Sequence, residues 1–284
     1  MITPVKTNGR PSVTEPAPYQ TVPVAVTPQV RVGGEAVVLM AGPCAVESYE
    51  QTWMTARAVM NAGIPILRGG AFKPRTSPYS FQGLGREGLQ ILRRVADEFG
   101  LLVITEALGV EHVDIVSQYA DIIQIGSRNM QHYPLLWAVG ETNKPILLKR
   151  GFMSTVAEWL MAAEHVISRG NDRIILCERG IRTFETATRN TLDTNAIALV
   201  KQTTPFPIIS DPSHATGRAD LVIPAARAAI AAGADGLLVE FHPQPAAALS
   251  DAEQALPLEA MPDLVRQAGR MAAALGRTIW QPGA

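Results

Sequence analysis

Short apolar segments alternate with helix-like stretches from Ala36 to the end of this 284-residue chain, and there are eight such segments. β-Branched and large aliphatic residues dominate them, as in strands buried on both faces of a parallel sheet. Parallel strands need crossover helices, and eight strand–helix units close into a barrel of roughly 250 residues. An open, doubly wound sheet is the alternative, but no glycine-rich dinucleotide turn supports it. The sequence therefore predicts an α/β protein, a (β/α)₈ TIM barrel.

The predicted strands are Val37–Met40, Ile64–Arg68, Leu101–Thr105, Ile122–Ile125, Ile146–Lys149, Ile174–Cys177, Ile208–Ser210 and Gly236–Glu240. The predicted helices are Glu50–Ala62, Arg86–Phe99, Val110–Gln118, Tyr133–Val139, Thr155–Ser168, Leu192–Lys201, Val222–Ala232 and Met261–Leu275. Glycine follows several of these helices directly, where a left-handed residue is favoured. Thr155 and Glu158 have the spacing of a capping box.

The first part of the chain differs from the rest. Residues 1–35 are rich in Pro, Thr and Val and lack a helical period, so we expect an extended N-terminal arm before a catalytic barrel at 36–284. A short edge strand within Val22 to Val32 is one expectation, with the arm covering the bottom of the barrel or a neighbouring subunit. Disorder of the first dozen residues is the other.

The composition of the chain argues against several classes of protein. A net charge of −1 gives no overall attraction to nucleic acid or anionic lipid. The chain has no apolar run of eighteen residues and no signal-peptide pattern, so we expect neither a membrane span nor export. Two cysteines are too few for a disulfide framework, which suits a reducing cytoplasm.

In a barrel, reactive side chains lie where strands end. Cys44, His214, Glu240 and Asp251 occupy such positions, and one thiolate, one imidazole and two carboxylates suit Mn²⁺, Fe²⁺, Co²⁺ or Zn²⁺. No local spacing motif supports a metal site, because the donors come from separate loops. The alternatives are a gap-filling buried Cys44, an Asp251 that caps a helix, and a His214 that bonds the turn Asp211–Ser213.

A second group of strand-end residues is cationic. A lysine ending an apolar strand, as Lys149 does, is costly unless it faces a site. Arginine forks match phosphate and carboxylate, so these cations with few local acids predict a phosphorylated acid as ligand. Nucleic acid fits less well, because the cations form no stripe and no aromatic residues are interleaved. The group comprises Arg68, Lys73, Arg75, Arg128, Lys149 and Arg179.

Six short strings stand at or near the predicted strand ends: AGPCAVES at 41–48, KPRTSP at 73–78, GSRNMQ at 126–131, DPSH at 211–214, VEFHP at 239–243 and LSD at 249–251. In this order they resemble the motifs of one enzyme family, the 3-deoxy-7-phosphoheptulonate (DAHP) synthases of type I, β subgroup. The resemblance spans about residues 36 to 276. It implies a metal-dependent transferase that condenses phosphoenolpyruvate with erythrose 4-phosphate and water, the first step of the shikimate pathway leading to aromatic amino acids.

The resemblance also implies residue roles. Cys44, His214, Glu240 and Asp251 match the family's divalent-metal ligands, with Mn²⁺ as our first choice. Lys73 is a candidate proton donor, so that Lys73, Cys44 and His214 form the catalytic set. The phosphoenolpyruvate contacts match Arg68, Lys73, Arg128, Lys149 and Arg179. The erythrose 4-phosphate contacts match Lys73, Pro74, Arg75 and Thr76.

Other hypotheses about the function stay open. The related 3-deoxy-manno-octulosonate 8-phosphate synthases use arabinose 5-phosphate, but they carry a Lys-Ala-Asn-Arg-Ser type of loop where this chain has Lys-Pro-Arg-Thr at 73–76. A non-catalytic barrel that docks a separate chorismate mutase is another reading, and a sister enzyme using a modified tetrose is a third. We expect a homodimer or homotetramer in the cytoplasm without a regulatory domain. Glu106 and His242 are either supporting groups at the site or structural, and Cys177 belongs to the core.

Overall fold

The computed structural model describes residues 20–73, 77 and 79–283. The predicted aldose-phosphate residues Pro74, Arg75 and Thr76 lie outside the described residues, as does Pro78.

A two-stranded antiparallel hairpin opens the described chain, formed by β1 (Val24–Ala25) and β2 (Arg31–Val32). Its side chains Val24, Val30 and Val32 are buried against apolar residues inside the barrel. Arg173, which precedes a barrel strand, donates to the Ala25 carbonyl, and Val22 N–H donates to the Pro205 carbonyl. The hairpin, which is the described part of the predicted arm, therefore packs on the amino-terminal end of the barrel.

Eight parallel strands form the barrel. They are β3 (Ala36–Gly42), β4 (Ile66–Arg68), β5 (Leu102–Glu106), β6 (Ile122–Ile125), β7 (Ile146–Lys149), β8 (Ile174–Glu178), β9 (Ile208–Ser210) and β10 (Gly236–His242). Each pairs with its sequence neighbour, and β10 returns to β3 in a register that places Gly236 opposite Val38 and Glu240 opposite Gly42. This closure confirms the predicted (β/α)₈ barrel.

Two short strands extend the sheet and explain where the predicted bounds were wrong. β11 (Leu256–Pro257) pairs with the end of β10, which therefore continues two residues past the predicted end to His242. β12 (Thr278–Ile279) pairs with the start of β3, which begins at Ala36. The strand predicted from Ile64 begins at Ile66, because Pro65 has no N–H to donate.

The helices form an outer layer around the strands. Their bounds are α1 (Tyr49–Asn61), α2 (Arg86–Glu98), α3 (Val110–Tyr119), α4 (Tyr133–Gly140), α5 (Val156–Ile167), α6 (Thr194–Thr203), α7 (Pro212–Thr216), α8 (Ala219–Ala231) and α9 (Met261–Ala274). Thr155 and Glu158 form the predicted capping box at α5. Helix α8 begins at Ala219, three residues before the predicted Val222, and contains Pro224.

The core has two layers. The larger layer lies between strands and helices and includes Trp159, whose indole N–H donates to the Leu148 carbonyl. The smaller layer fills the barrel interior with residues such as Met40, Ile104 and Cys177. Cys177 is fully buried, and burial raises the pKa of its thiol, which confirms its predicted place in the core.

No helix in the described part of the chain combines the length and apolarity needed to cross a lipid bilayer.

Candidate active site

The four predicted metal donors meet at the carboxyl-terminal mouth of the barrel. Cys44 follows β3, His214 lies in α7 after β9, Glu240 lies within β10, and Asp251 lies in the loop after β10. One ligand atom from each residue falls within 4.8 Å of all the others. These positions are separated widely along the chain, so the fold itself creates the cluster.

The distances within the cluster fit a small cation. Cys44 Sγ lies 3.2 Å from Asp251 Oδ2. His214 Nε2 lies 3.5 Å from Asp251 Oδ2 and 3.5 Å from Glu240 Oε1. Two carboxylate oxygens, an imidazole nitrogen and a sulfur gathered around one point are a donor set for Mn²⁺, Fe²⁺, Co²⁺ or Zn²⁺. The residues present therefore fit a divalent cation.

Asp211 orients the His214 ring. Its Oδ2 lies 2.8 Å from His214 Nδ1, and its Oδ1 accepts the His214 backbone N–H at 3.0 Å. Burial lowers the pKa of His214, but the charges of Asp211 and Glu240 outweigh burial and raise it to about 10. Asp211 thus occupies Nδ1 and leaves Nε2 facing the other donors.

Asp251 has an unusual backbone. Its φ of 53° makes it the one non-glycine residue in the left-handed region among the residues the structure describes. Asp tolerates this region better than most residues, yet the conformation still carries strain, which often marks functional sites. Arg189 Nη1 lies 3.2 Å from Asp251 Oδ1. Although burial raises it, hydrogen bonding to His214 and the nearby positive charges hold the pKa of Asp251 well below its usual range.

Three of the predicted cations are already paired with the protein. Arg68 Nη1 donates to Glu240 Oε1 at 2.8 Å and to the Pro43 carbonyl at 2.8 Å. Lys149 Nζ donates to Asp211 Oδ2 at 2.5 Å. Lys73 Nζ lies 3.0 Å from both Cys44 Sγ and the Cys44 carbonyl. The expectation of few local acids was therefore wrong, because Arg68 pairs with Glu240 of the four-donor cluster and Lys149 pairs with Asp211 beside it.

Arg179 has no such partner. Its Nη1 is buried and makes no hydrogen bond within the described residues, and burial lowers the pKa of this guanidinium to about 10. Its guanidinium lies 4.6 Å from the centre of the Phe152 ring, and that of Arg128 lies 5.8 Å from the same ring. Both arginines line a cavity with Lys73, Lys149 and His214. A buried, unpaired cation facing a cavity needs an anion there.

Glu106 and His242 were predicted to be either supporting groups at the site or structural residues, and the structure places them differently. Glu106 lines the same cavity and accepts a hydrogen bond from Gln124 Nε2 at 2.9 Å. His242 points elsewhere, because its Nε2 lies 3.3 Å from Glu47 Oε2 and its Nδ1 accepts the Gln244 N–H at 3.0 Å. Glu106 is therefore at the site, whereas His242 braces the loop after β10.

Sequence reasoning missed four residues of the mouth. Asp211 belongs to the matched DPSH string but was given only a turn role. Phe152, Arg189 and Gln254 lie in loops beyond the strand ends, where no pattern in a single sequence distinguishes them. Arg189 and Phe152 line the cavity, and Gln254 donates to Glu240.

Gly42 permits the close approach of β3 and β4 beneath the cluster. Its φ is 155°, and a Cβ built there would lie 2.0 Å from the Arg68 carbonyl oxygen. No side chain fits at that distance, so glycine is required. The bare backbone allows Arg68 to reach both Pro43 and Glu240.

The fold and the mouth define a class: (β/α)₈ barrels with a cationic cavity at the carboxyl ends of the strands, beside side chains that could hold a metal ion. The chain belongs to the DAHP synthetase I family, whose model matches residues 16–274.

Curated relatives and solved structures of similar sequence belong to the same kind of protein as the family model. A phospho-2-dehydro-3-deoxyheptonate aldolase from Thermotoga maritima is 54% identical over 247 residues, covering 87% of this chain and 73% of the relative. A crystal structure of a protein of the same name from that organism superposes with a TM-score of 0.89 at 51% identity, covering 92% of this chain and 76% of the other. A truncated 3-deoxy-D-arabino-heptulosonate 7-phosphate synthase from Thermotoga maritima gives 0.85 at 47% identity, covering 92% and 95%.

More distant relatives carry a different name. A 2-dehydro-3-deoxyphosphooctonate aldolase from Acidithiobacillus ferrooxidans is 34% identical over 248 residues, covering 80% of this chain and 86% of the relative. The identity to the heptonate aldolase is thus 20 percentage points higher (54 minus 34) over a comparable length. The β subgroup remains a prediction.

Proposed function

We propose that this chain is a DAHP synthase. It condenses phosphoenolpyruvate with erythrose 4-phosphate and water to give 3-deoxy-D-arabino-heptulosonate 7-phosphate and phosphate. This reaction is the first step of the shikimate pathway. The observation that carries the proposal is the buried Nη1 of Arg179, which has no hydrogen-bond partner among the described residues, in the same barrel mouth as four side chains that could hold a metal ion.

We propose that Cys44, His214, Glu240 and Asp251 hold one divalent cation, with Mn²⁺ as first choice and Fe²⁺, Co²⁺ or Zn²⁺ as alternatives. Bound there, such a cation would supply Lewis-acid polarisation of the substrate aldehyde.

The cationic residues hold phosphoenolpyruvate. Arg128, Lys149 and Arg179 bind its phosphate and carboxylate charges, because all three line the cavity. Arg68 and Lys73 orient it from the β4 side. Fixing two mutually repelling anions in a reactive pose can supply roughly 7–11 kcal/mol of the barrier.

The chemistry then proceeds between the two substrates. The methylene carbon of phosphoenolpyruvate attacks the aldehyde carbon, water adds to the enol carbon, and phosphate leaves with cleavage of its bond to that carbon. Lys73 is our candidate donor of the proton to the new alkoxide, and a water molecule is the competing donor. Burial lowers the pKa of Lys73, but the charges of Cys44 and Glu240 and the hydrogen bond to Cys44 together raise it above its ordinary value, so the ammonium stays protonated at neutral pH.

The aldose phosphate is assigned by resemblance. Pro74, Arg75 and Thr76, together with Lys73, would hold the phosphate of erythrose 4-phosphate, because they match the family's Lys-Pro-Arg-Thr motif. The same motif argues against arabinose 5-phosphate as the second substrate. The arm and barrel boundary at residues 35 and 36, the homodimer or homotetramer, the cytoplasmic location and a separate chorismate mutase partner also remain predictions.

The test is a steady-state assay of chelated protein, with Mn²⁺, Fe²⁺, Co²⁺ and Zn²⁺ restored in turn and both aldoses supplied. We expect metal-dependent phosphate release with erythrose 4-phosphate far above that with arabinose 5-phosphate. Preference for arabinose 5-phosphate would make the chain an octulosonate synthase. Substrate binding without turnover under any metal would support the partner-docking barrel.

A further inference from the structure

Gln254 lies in the mouth but has no role in the proposed chemistry. It is only 2% exposed, in the loop that also carries Asp251. Its Nε2 donates to Glu240 Oε2 at 2.6 Å, and its Oε1 accepts from Arg189 Nη1 at 2.8 Å. Because a guanidinium can only donate, the amide oxygen must face Arg189 and the amide nitrogen must face Glu240. The orientation of the amide is thus fixed by its two partners.

These contacts decide which oxygen of Glu240 faces the cluster. Gln254 occupies Oε2, which leaves Oε1 directed towards Arg68 and His214 Nε2. The carboxylate is 1% exposed, so water does not replace a lost donor easily. Without the amide N–H, the carboxylate could rotate to find another donor, and Oε1 would leave the cluster.

Arg189 connects Gln254 to a second candidate metal ligand, Asp251. The same Nη1 that holds Gln254 lies 3.2 Å from Asp251 Oδ1, while Asp251 Oδ2 faces Cys44 and His214. The outward oxygens of both carboxylates are therefore held by Gln254 and Arg189, and the inward oxygens, Glu240 Oε1 and Asp251 Oδ2, face His214 Nε2.

We propose that Gln254 is a positioning residue of the divalent-cation site, holding the Glu240 carboxylate while Arg189 holds the Gln254 amide. This inference rests on the proposed metal site but not on the identity of the substrates. Groups that orient metal ligands in this way are commonly worth 10–100-fold in metal affinity, and that is the size of effect we expect.

The experiment measures metal binding directly. Chelated wild-type protein and the Gln254→Met variant are titrated with Mn²⁺ by calorimetry, and the visible spectrum of each Co²⁺-loaded protein is recorded. We expect Gln254→Met to weaken Mn²⁺ binding by about 10–100-fold and to change the Co²⁺ ligand-field bands. A Kd within twofold of wild type together with an unchanged spectrum would overturn the proposal.

Asn171→Leu is the matched control. Asn171 is also a buried amide, and its Nδ2 donates to the carbonyls of Thr142 and Lys144, away from the mouth. We expect this variant to lose stability and to keep the wild-type Kd for Mn²⁺. An equal loss of Mn²⁺ affinity in the control would show that the effect is general destabilisation and would overturn the role of Gln254.

Arg189→Met covers the case in which Gln254→Met does not fold. Arg189 is half-exposed, so we expect this variant to fold and to weaken Mn²⁺ binding about threefold to tenfold. An unchanged Kd in this variant would also overturn the proposal. Failure of the wild-type protein to bind Mn²⁺ would instead remove the metal site itself, whereas binding without turnover of either aldose would remove only the proposed reaction.

Discussion

Lys73 Nζ lies 3.0 Å from the sulfur of Cys44 and 3.0 Å from its carbonyl oxygen. This contact joins the metal cluster to the cationic pocket, because one residue belongs to each. We expect Cys44→Ala to abolish Mn²⁺ binding and metal-dependent turnover, since it removes the sulfur donor. Calorimetry and the condensation assay measure the two losses. Cys177→Ala is the control with the same change in the barrel interior, and it should lower stability while keeping Mn²⁺ affinity. Retained Mn²⁺ affinity in Cys44→Ala would contradict the assignment.

Phe152 is predicted to hold the phosphoenolpyruvate arginines. Its ring lies under the guanidiniums of Arg179, Arg128 and Arg182, at 4.6, 5.8 and 5.3 Å. A cation–π contact is worth about 0.5–2 kcal/mol, so Phe152→Ala should raise the KM for phosphoenolpyruvate about 2- to 30-fold. Phe152→Tyr should keep most of the affinity.

Phe184→Ala is the control for Phe152→Ala. Phe184 is 98% exposed and lies in the loop after β8. Steady-state kinetics should show an unchanged KM for phosphoenolpyruvate. Equal effects from the two alanine variants would mean that the Phe152 ring does not support the arginines.

Metal binding is expected to depend on pH through His214. Its folded-state pKa of about 10 lies above the ordinary 6.5. The protonated ring therefore stabilises the metal-free protein fully below pH 6.5, and this contribution is lost as the pH rises through about 10. A cation must displace the Nε2 proton, so Mn²⁺ affinity should rise with pH across that window. Calorimetry in buffers of different ionisation enthalpy counts the protons released. A Kd that is independent of pH, with no proton released, would exclude His214 as a ligand.

Arg75 is expected to distinguish the two substrates. Its role follows from the family motif, and Arg75→Ala should raise the KM for erythrose 4-phosphate far more than that for phosphoenolpyruvate. Initial rates at varied concentrations of each substrate give both constants. Arg94→Ala, an exposed arginine of α2 that pairs with Glu98, is the control and should change neither. Equal increases for both substrates in Arg75→Ala would refute the assignment.

Arg150 is expected to matter for stability. Its Nη1 lies 3.0 Å from Glu178 Oε2 and 2.8 Å from Asp193 Oδ2, with Glu178 fully buried. Removing one partner of a buried pair leaves an uncompensated charge, so Arg150→Met should lower the free energy of unfolding by about 3–5 kcal/mol. Chemical denaturation measures it.

Two further variants show whether the loss of stability in Arg150→Met comes from the buried ion pair. Arg169→Met removes an exposed arginine whose nearest carboxylate, Glu141, is 3.7 Å away, and should cost no more than about 1 kcal/mol. The double variant Arg150→Met with Glu178→Leu should recover part of the lost stability, because both buried charges are then gone. A large loss in Arg169→Met would show that arginine removal is costly regardless of burial.

The strand ends could be read from the sequence because a barrel restricts reactive residues to one end of each strand. Cys44, His214 and Glu240 are found in this way, and Lys149 is found because a charge closes an apolar run. Closure of the predicted barrel brings these strand ends to one mouth, where Cys44, His214 and Glu240 have ligand atoms within 4.8 Å of one another.

The hydrogen-bond and ion-pair partners of these residues could not be predicted from the sequence. Arg189 and Gln254 lie in long loops whose paths depend on tertiary contacts, and a single sequence carries no periodic pattern there. The pairing of Lys149 with Asp211 was missed for a related reason: strand register places β7 and β9 on either side of β8, but side-chain reach across the mouth is not encoded by spacing.

Gly42 shapes the mouth of the barrel because it has no Cβ. Its bare backbone rests against the Arg68 carbonyl, and its register partner on β10 is Glu240. A single hydrogen atom in place of a methyl group thus lets β3 and β4 pack at this distance, beside the residue whose guanidinium pairs with Glu240.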